Sequence, residues 1–317
     1  MIVGMSIEKV RAAVLGWMEN FADPGVSVTI ACSGGADSLA LAIGAIGVID
    51  EVRLDAVTVD HRLQDGSGQR AIDTAAQLHQ LGYRTVRIVA VTVGTDGGLE
   101  AAARSARYQA LRPEGGGVAL LAHTADDQAE TVLLGLGRGS GPRSVAGMTP
   151  WRRPWGRPLL NLRRSDTESA CREAQVEFWI DPHNVDPAFT RVRLRQEVLP
   201  LLEDVLGGGV TPALARTAQL LAEDLEALDF LAARVLAQVW EAGGVVDLAG
   251  LSQHPVALRR RALRAWAGAI GAKALSADHL FRLDALAMGR RRFGAVRLPG
   301  AMDAVRTGST LRAVPAQ

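Results

Sequence analysis

The stretch Val26-Ser27-Val28-Thr29-Ile30-Ala31-Cys32 runs straight into Ser33-Gly34-Gly35-Ala36-Asp37-Ser38 and then into Leu39-Ala40-Leu41-Ala42-Ile43. The first segment is apolar and β-branched, as a buried strand should be, and the last is an apolar helical run. Strand, glycine turn and helix together present bare backbone N–H groups to an anion. Gly34 and Gly35 allow a sharp turn and let a phosphate approach without a Cβ in the way. Ser33 and Ser38 add hydroxyl donors. Asp37 is the odd member, because a carboxylate beside a phosphate is repulsive unless a cation lies between them. That points to magnesium bridging Asp37 to a polyphosphate. No Gly-Lys-Ser/Thr closes the loop, so it is not a Walker A sequence. The bland alternative is a tight strand-to-helix turn with a capping serine.

Outward from this loop, strands and helices alternate. An amphipathic helix is expected over 6–21, with Ile7, Val10, Val14, Trp17 and Met18 on one face and Ser6 at its start. Apolar strands are expected to end at Cys32, near His61, at Val93 and at His123, with helices over 38–48, 67–82 and 99–111 between them. A further apolar segment, Val176–Ile180, ends in Asp181. This alternation predicts an α/β domain with a parallel sheet covered on both faces, whose ligands sit beyond the carboxyl ends of the strands. Polar residues recur there: Ser33–Ser38, Asp60-His61, and His123 with the acids that follow it. Asp60-His61 has the alternative of merely ending a strand.

The second strong signal is His123-Thr124-Ala125-Asp126-Asp127-Gln128-Ala129-Glu130-Thr131. Thr124 is placed to cap a helix, and Asp126 and Asp127 suit its first turn. Capping does not explain His123 at a strand end or Glu130 one turn further on. Three acids and a histidine around one helix start suit magnesium or an ammonium group. In the preceding helix Glu100, Arg104 and Arg107 share a face, either as a surface ion-pair ladder or as a basic face for phosphate or RNA.

Acidic residues are absent from Leu133 through Ser165, where Arg138, Arg143, Arg152 and Trp155 lie among glycines and prolines. Such a loop suits backbone contacts and stacking on unpaired bases, or else is solvated, with its tryptophans packed on the domain edge. Arg191, Arg193 and Arg195 form either a strand with one charged face or the start of a basic helix. Gly207-Gly208-Gly209 divides the chain into domains 1–207 and 208–317. The second domain reads as mostly helical, with a long helix capped by Thr211, arginine clusters at 259–264 and Arg290-Arg291-Arg292, and short strands after Phe293. The clusters are RNA contacts or solvated faces.

Over 317 residues, 35 basic side chains balance 34 acidic ones, which excludes a wholly basic nucleic-acid coat but permits local patches. Lys9 and Lys273 are the only lysines, so positive charge is nearly all guanidinium. Two cysteines without a C-x-x-C spacing argue against a zinc site, a cysteine-ligated cluster or a disulfide framework. The absence of a signal-peptide pattern and of a membrane-length apolar run suggests a cytoplasmic protein.

The Ser33–Ser38 loop resembles that of the PP-loop ATP pyrophosphatases. Several stretches are similar to one member of that superfamily, the tRNA(Ile)-lysidine synthetases. They are Val59-Asp60-His61, the Glu100…Arg104…Arg107-Tyr108 helix, His123–Thr131, Arg138-Gly139-Ser140-Gly141, Arg157-Pro158-Leu159-Leu160, and Asp181…Asn184…Arg191…Arg195. Val192 departs from the family's usual Asn, which puts a substrate contact there in doubt.

The resemblance implies a carbon–nitrogen ligase that uses ATP, Mg2+, free L-lysine and a tRNA(Ile) with a CAU anticodon. Its product is lysidine at the wobble cytidine, formed through an adenylylated tRNA with release of pyrophosphate and AMP. It further implies that Ser33, Gly34, Gly35, Ala36, Asp37, Ser38, Asp60 and His61 hold ATP, with Asp37 on the metal. Asp37, Arg104, Arg107, His123 and Asp127 would be catalytic, and Asp127 and Glu130 would take lysine. Arg138, Arg143, Arg152, Trp155, Arg191, Arg195, Arg290, Arg291 and Arg292 would meet RNA. Two other readings are a thiolase of the same fold, which lacks its cysteine pair here, and a non-catalytic ATP- and RNA-binding module. The choice between monomer and homodimer is left open.

Overall fold

The computed structural model describes residues 4–60, 62, 66–92, 99–139, 141–181, 186–272, 274–290 and 294–316. The side chains of Leu99, Glu100, Ala101 and Ala103, and all of His61, Pro182–Val185, Arg291 and Arg292, lie outside the described residues. Two compact units form: residues 1–133 with 147–218, and residues 134–146 with 219–317.

The first unit opens with α1 (Met5–Phe21), whose Ile7, Val10, Val14 and Trp17 are buried at helical spacing. Then come β1 (Val28–Ala31), α2 (Ala36–Ala45), β2 (Leu54–Asp60), α3 (Ser67–Gln80), β3 (Thr85–Ala90), α4 (Leu99–Ala110), β4 (Val118–Leu120) and α5 (Ala125–Gly137). After α6 (Pro142–Val145) follow the short strands β5 (Trp151–Arg152) and β6 (Trp155–Gly156), and then α7 (Arg164–Glu173). The sheet order is β3-β2-β1-β4-β6-β5, parallel except where β5 pairs with β6. The chain runs outward from β1 through β2 to β3, then returns to place β4 on the other side of β1. That reversal opens a crevice beyond the carboxyl ends of β1 and β4, the usual ligand position in such sheets. The core beneath it is α1, α2 and the sheet, with Ile30, Leu39, Leu41, Leu120 and Leu159 fully buried.

The expected α/β alternation is therefore present, with three local differences and one open choice decided for the helix. Ser6 does not cap α1; the carboxylate of Glu173 in α7 accepts the Ser6 and Ile7 N–H groups, each at 3.0 Å. Val176–Ile180 forms no strand and passes instead beside the glycine loop, where the Trp179 N–H donates to Gly34 O at 2.9 Å. The arginines at 191–195 are helical, in α8 (Thr190–Arg193) and the π-turn Leu194–Val198 that leads into α9 (Leu199–Val205). Val192 is buried there, as its apolar side chain requires. Lastly, α10 (Val210–Val239) is capped not by Thr211 but by Glu203, which accepts the Val210 and Thr211 N–H groups at 3.0 and 2.9 Å.

The second unit follows α10 with β7 (Trp240–Glu241), β8 (Val245–Asp247), α11 (Leu248–Ser252), α12 (Val256–Ala269), α13 (Ala277–Ala287), β9 (Ala295–Leu298), β10 (Met302–Thr307) and β11 (Thr310–Pro315). Its strands form an antiparallel sheet, β7-β8-β11-β10-β9. The helices and this sheet enclose Trp266, Leu251, Leu263, Leu283, Leu298 and Leu311.

Candidate active site

At the end of β1 the chain turns through Gly34, whose φ of +80° is accessible to glycine at little cost. A Cβ at Gly34 would sit 2.5 Å from Thr74 Oγ1 on α3, so the position tolerates no side chain. Ser38 braces the turn: its hydroxyl donates to Gly35 O at 2.9 Å and accepts the Ser33 N–H at 3.1 Å. Gly35 precedes the first turn of α2, and no side chain caps it. The leading amides of a ten-residue helix are thus left for an anion.

Asp37 lies in that first turn, but its cation is part of the protein. Arg164, the first residue of α7, places Nε 3.2 Å from Asp37 Oδ2, while its Nη2 donates to Asp127 Oδ1 at 3.1 Å. The Thr167 hydroxyl, one turn along α7, donates to the other Asp37 oxygen. Burial pushes the Asp37 carboxyl above its usual range, with Arg164 and Thr167 opposing and the Asp127 charge adding to it. At Asp127 burial acts in the same direction but loses: Arg164, His123 and the Thr124 amide hold that carboxyl below its usual value. Asp127 Oδ2 accepts the Thr124 N–H at 2.9 Å, fixing the start of α5. Its neighbour Asp126 instead accepts the Arg164 backbone N–H at 2.8 Å and two bonds from the Arg163 guanidinium at 3.1 Å, locking α5 to α7.

Glu130, with no exposed side-chain surface, pairs with Arg195 at 2.7 Å and Arg191 at 3.3 Å. Burial raises its carboxyl pKa against the pull of Arg195. Arg195 also approaches Asp127, at 3.7 Å. Three carboxylates and three guanidiniums therefore alternate from Asp37 through Arg164, Asp127, Arg195 and Glu130 to Arg191. Arg191 and Arg195, expected on RNA, are here partners of the acids.

His123 follows β4. Burial, reinforced by Arg157 and Arg107 and opposed by Asp127, lowers its imidazole pKa from 6.5 to about 4, so the ring is neutral near pH 7. Among the described residues its Nδ1 is buried with no hydrogen-bond partner, as is Arg157 Nε. Arg104 stands over the Tyr108 ring at 5.0 Å, and Tyr108 meets Trp155 edge to face at 4.9 Å. Burial and the neighbouring Arg104 lower the Arg107 pKa. Arginines and an aromatic pair thus gather beside His123, as a negatively charged, planar substrate requires.

Asp60 ends β2 and accepts the Arg62 N–H at 2.9 Å, the strand-ending turn its sequence allowed. Arg152 is exposed on β5, and Arg138 and Arg290 are exposed in the second unit. Arg143 pairs with Asp229. The arginine cluster of α12 divides: Arg259 and Arg260 hold the buried Asp284 at 3.1 and 3.3 Å, whereas Arg261 approaches Asp229 at 3.7 Å and Arg264 donates to Leu275 O at 3.3 Å.

Arg164, Thr167, Thr74 and Trp179 were not marked by sequence reasoning. One signal was available: Arg163 and Arg164 open a helix, where the dipole disfavours cations, so remote acids had to hold them. Among the described residues no group of three or more His, Cys, Asp or Glu could hold a metal alone. A magnesium ion still fits, because Asp37 and Asp127 already share one cation, and magnesium needs only one or two carboxylates beside substrate phosphates.

The relatives of the chain bear on this arrangement directly. A family model described as PP-loop domain matches residues 8–202, and one described as TilS substrate binding domain matches residues 247–311. A tRNA(Ile)-lysidine synthase of Nocardia farcinica is 51% identical over 298 residues, covering 93% of both chains. One from Rhodococcus erythropolis is 53% identical over 291 residues, covering 92% of this chain and 88% of its own. The chain belongs to the tRNA(Ile)-lysidine synthase family. It is accordingly a ligase with an ATP-using PP-loop domain, and tRNA is its partner. A U34-tRNA thiolase from Methanococcus maripaludis, solved with its [4Fe-4S] cluster, superposes with a TM-score of 0.55 at 16% identity, over 69% of this chain and 80% of its own. That likeness concerns the fold alone. Cys32 and Cys171 are both buried and unpaired, and the thiolase reading is not favoured.

Proposed function

We propose that the chain joins L-lysine to C2 of the wobble cytidine of a tRNA(Ile) bearing a CAU anticodon. The observation that carries this reading is the meeting of an open phosphate loop and a buried acid cluster at the ends of neighbouring strands β1 and β4. Ser33–Ser38 and the first amides of α2 would receive the phosphates of ATP. Asp60 and His61 would bind the nucleotide. Asp37 would hold magnesium together with phosphate oxygens, and the ion would neutralise charge between carboxylate and triphosphate.

In the first step the cytosine C2 oxygen attacks the α-phosphorus of ATP, and the α–β phosphoanhydride bond breaks to release pyrophosphate. Arg104 and Arg107, beside neutral His123, would stabilise charge at the adenylyl phosphate. In the second, the lysine ε-amine attacks C2, the C2–O bond breaks, AMP leaves and the amine loses a proton. Asp127 and Glu130 would attract lysine, with Asp127, closer to the phosphate loop, near the ε-amine. Arg138, Arg143, Arg152, Trp155 and the C-terminal arginines Arg290–Arg292 would meet RNA. Functionally, residues 1–207 would carry the chemistry and 208–317 the grip on tRNA. Reactants of this kind suit a cytoplasmic enzyme, and a homodimer would be compatible with it.

The test is pyrophosphate release. Continued turnover should require ATP, lysine and tRNA(Ile) together, because the adenylylated tRNA of the first step waits for lysine; sustained multiple-turnover release without lysine would contradict the reading and favour another chemistry on the same fold.

A further inference from the structure

Among the described residues, Arg164 is the one side chain that touches both halves of the site. Its guanidinium spans Asp37 on the phosphate loop and Asp127 on α5, at 3.2 and 3.1 Å. Its backbone is fixed by Asp126, which accepts the Arg164 N–H at 2.8 Å, so only the side chain is free to change partners. Asp37 does not depend on Arg164 for its position, because Thr167 holds its other oxygen. Asp127 is likewise held without it, by the Thr124 N–H. Arg195 cannot substitute for this link: it is committed to Glu130 at 2.7 Å and stands 3.7 Å from Asp127.

We propose that Arg164 is a positioning residue that couples lysine binding to ATP binding, by leaving Asp127 to the incoming ammonium and turning its charge to the triphosphate. This rests on the assignment of lysine to Asp127. Without ligands, the two carboxylates share one cation. A lysine ammonium at Asp127 brings a second, and the two cations repel. The guanidinium then loses its partner on α5 and keeps Asp37, next to the loop that receives phosphate. A guanidinium fork is suited both to spanning two carboxylates and to gripping a phosphate, whereas an ammonium is a point charge that does neither as well. Each substrate therefore tightens the other by the same factor, because coupling between two binding sites is reciprocal.

The experiment measures equilibrium affinity for an α,β-methylene ATP analogue, without tRNA, with and without saturating lysine. In the wild-type chain lysine should tighten the analogue by about fivefold or more, the lower range of measured couplings, and the analogue should tighten lysine equally. Arg164→Gln should abolish the coupling. Arg164→Lys keeps the charge that balances Asp37 and Asp127, so it guards against a folding defect; at an unchanged melting temperature it should lose most of the coupling. A merely structural arginine would lower stability and leave the ratio of affinities intact. Full coupling in both variants would overturn the proposal, as would wild-type protein that binds lysine and analogue independently. If the wild-type chain binds the analogue but no lysine, the assignment of the amine substrate fails and the coupling falls with it.

Discussion

Asp37 stands in the first turn of α2 with a guanidinium already against it, and its removal should be felt in chemistry rather than in folding. Asp37→Ala is expected to abolish pyrophosphate release while circular dichroism stays that of the wild type; unchanged turnover at saturating magnesium would remove Asp37 from the site. Asp127→Asn and Glu130→Gln should both raise KM for lysine more than KM for ATP. Stability separates Glu130 from the surface acids: its side chain is fully buried between two arginines, so Glu130→Gln should cost about 3 kcal/mol in denaturant unfolding. His123 gives a pH signature. Its pKa is about 4 in the fold against 6.5 when unfolded, so between these values the unfolded chain takes the proton first. Stability is complete above pH 6.5 and falls as the pH drops towards 4, by at most about 1.4 kcal/mol per pH unit from this group. His123→Gln should flatten that slope. A His123 NMR titration midpoint near 6.5 in the folded protein would contradict it. At this scale the acids and His123 were legible because each sits in a short motif at a strand end. Arg164 was not, because its role comes from Asp37 and Asp127, which are remote from it in sequence.

Helices and strands were legible wherever their signal is periodic burial. The apolar face of α1, the β-branched β1 and the apolar α2 are set by local pattern, and the structure has them. What local pattern does not carry is a cap supplied from elsewhere. Ser6 and Thr211 look like caps in sequence, yet the carboxylates that do the capping are Glu173 and Glu203. Val176–Ile180 had the composition of a strand, but its backbone is used to brace Gly34 rather than to pair with the sheet. One consequence is measurable: Glu203→Ala should lower the midpoint of urea unfolding, as loss of a helix cap does, with pyrophosphate release retained. Thr211→Ala should cost less, and the reverse order would return the cap to Thr211.

Over the whole molecule, strand order explains why motifs far apart in sequence meet. The reversal at β1 brings the loop after β1 beside the acids after β4, which alternation alone could only suggest. The second unit was legible as helices plus a stranded tail, but its five-stranded sheet depends on long-range antiparallel pairing that no local pattern specifies. The same holds for its arginines, which were one cluster in sequence and are two sets in space. Arg138→Gln with Arg290→Gln, both exposed, should lower the salt dependence of tRNA binding, each lost phosphate contact reducing the slope by about 1. Arg259→Gln, which strips a partner from buried Asp284, should lower the melting temperature and leave the slope alone. The central claim is tested most directly by labelled lysine. The account predicts its stable incorporation into a tRNA(Ile) transcript with a CAU anticodon, dependent on ATP and absent with a methionine tRNA of the same anticodon. Equal labelling of both tRNAs, or none of either, would contradict it.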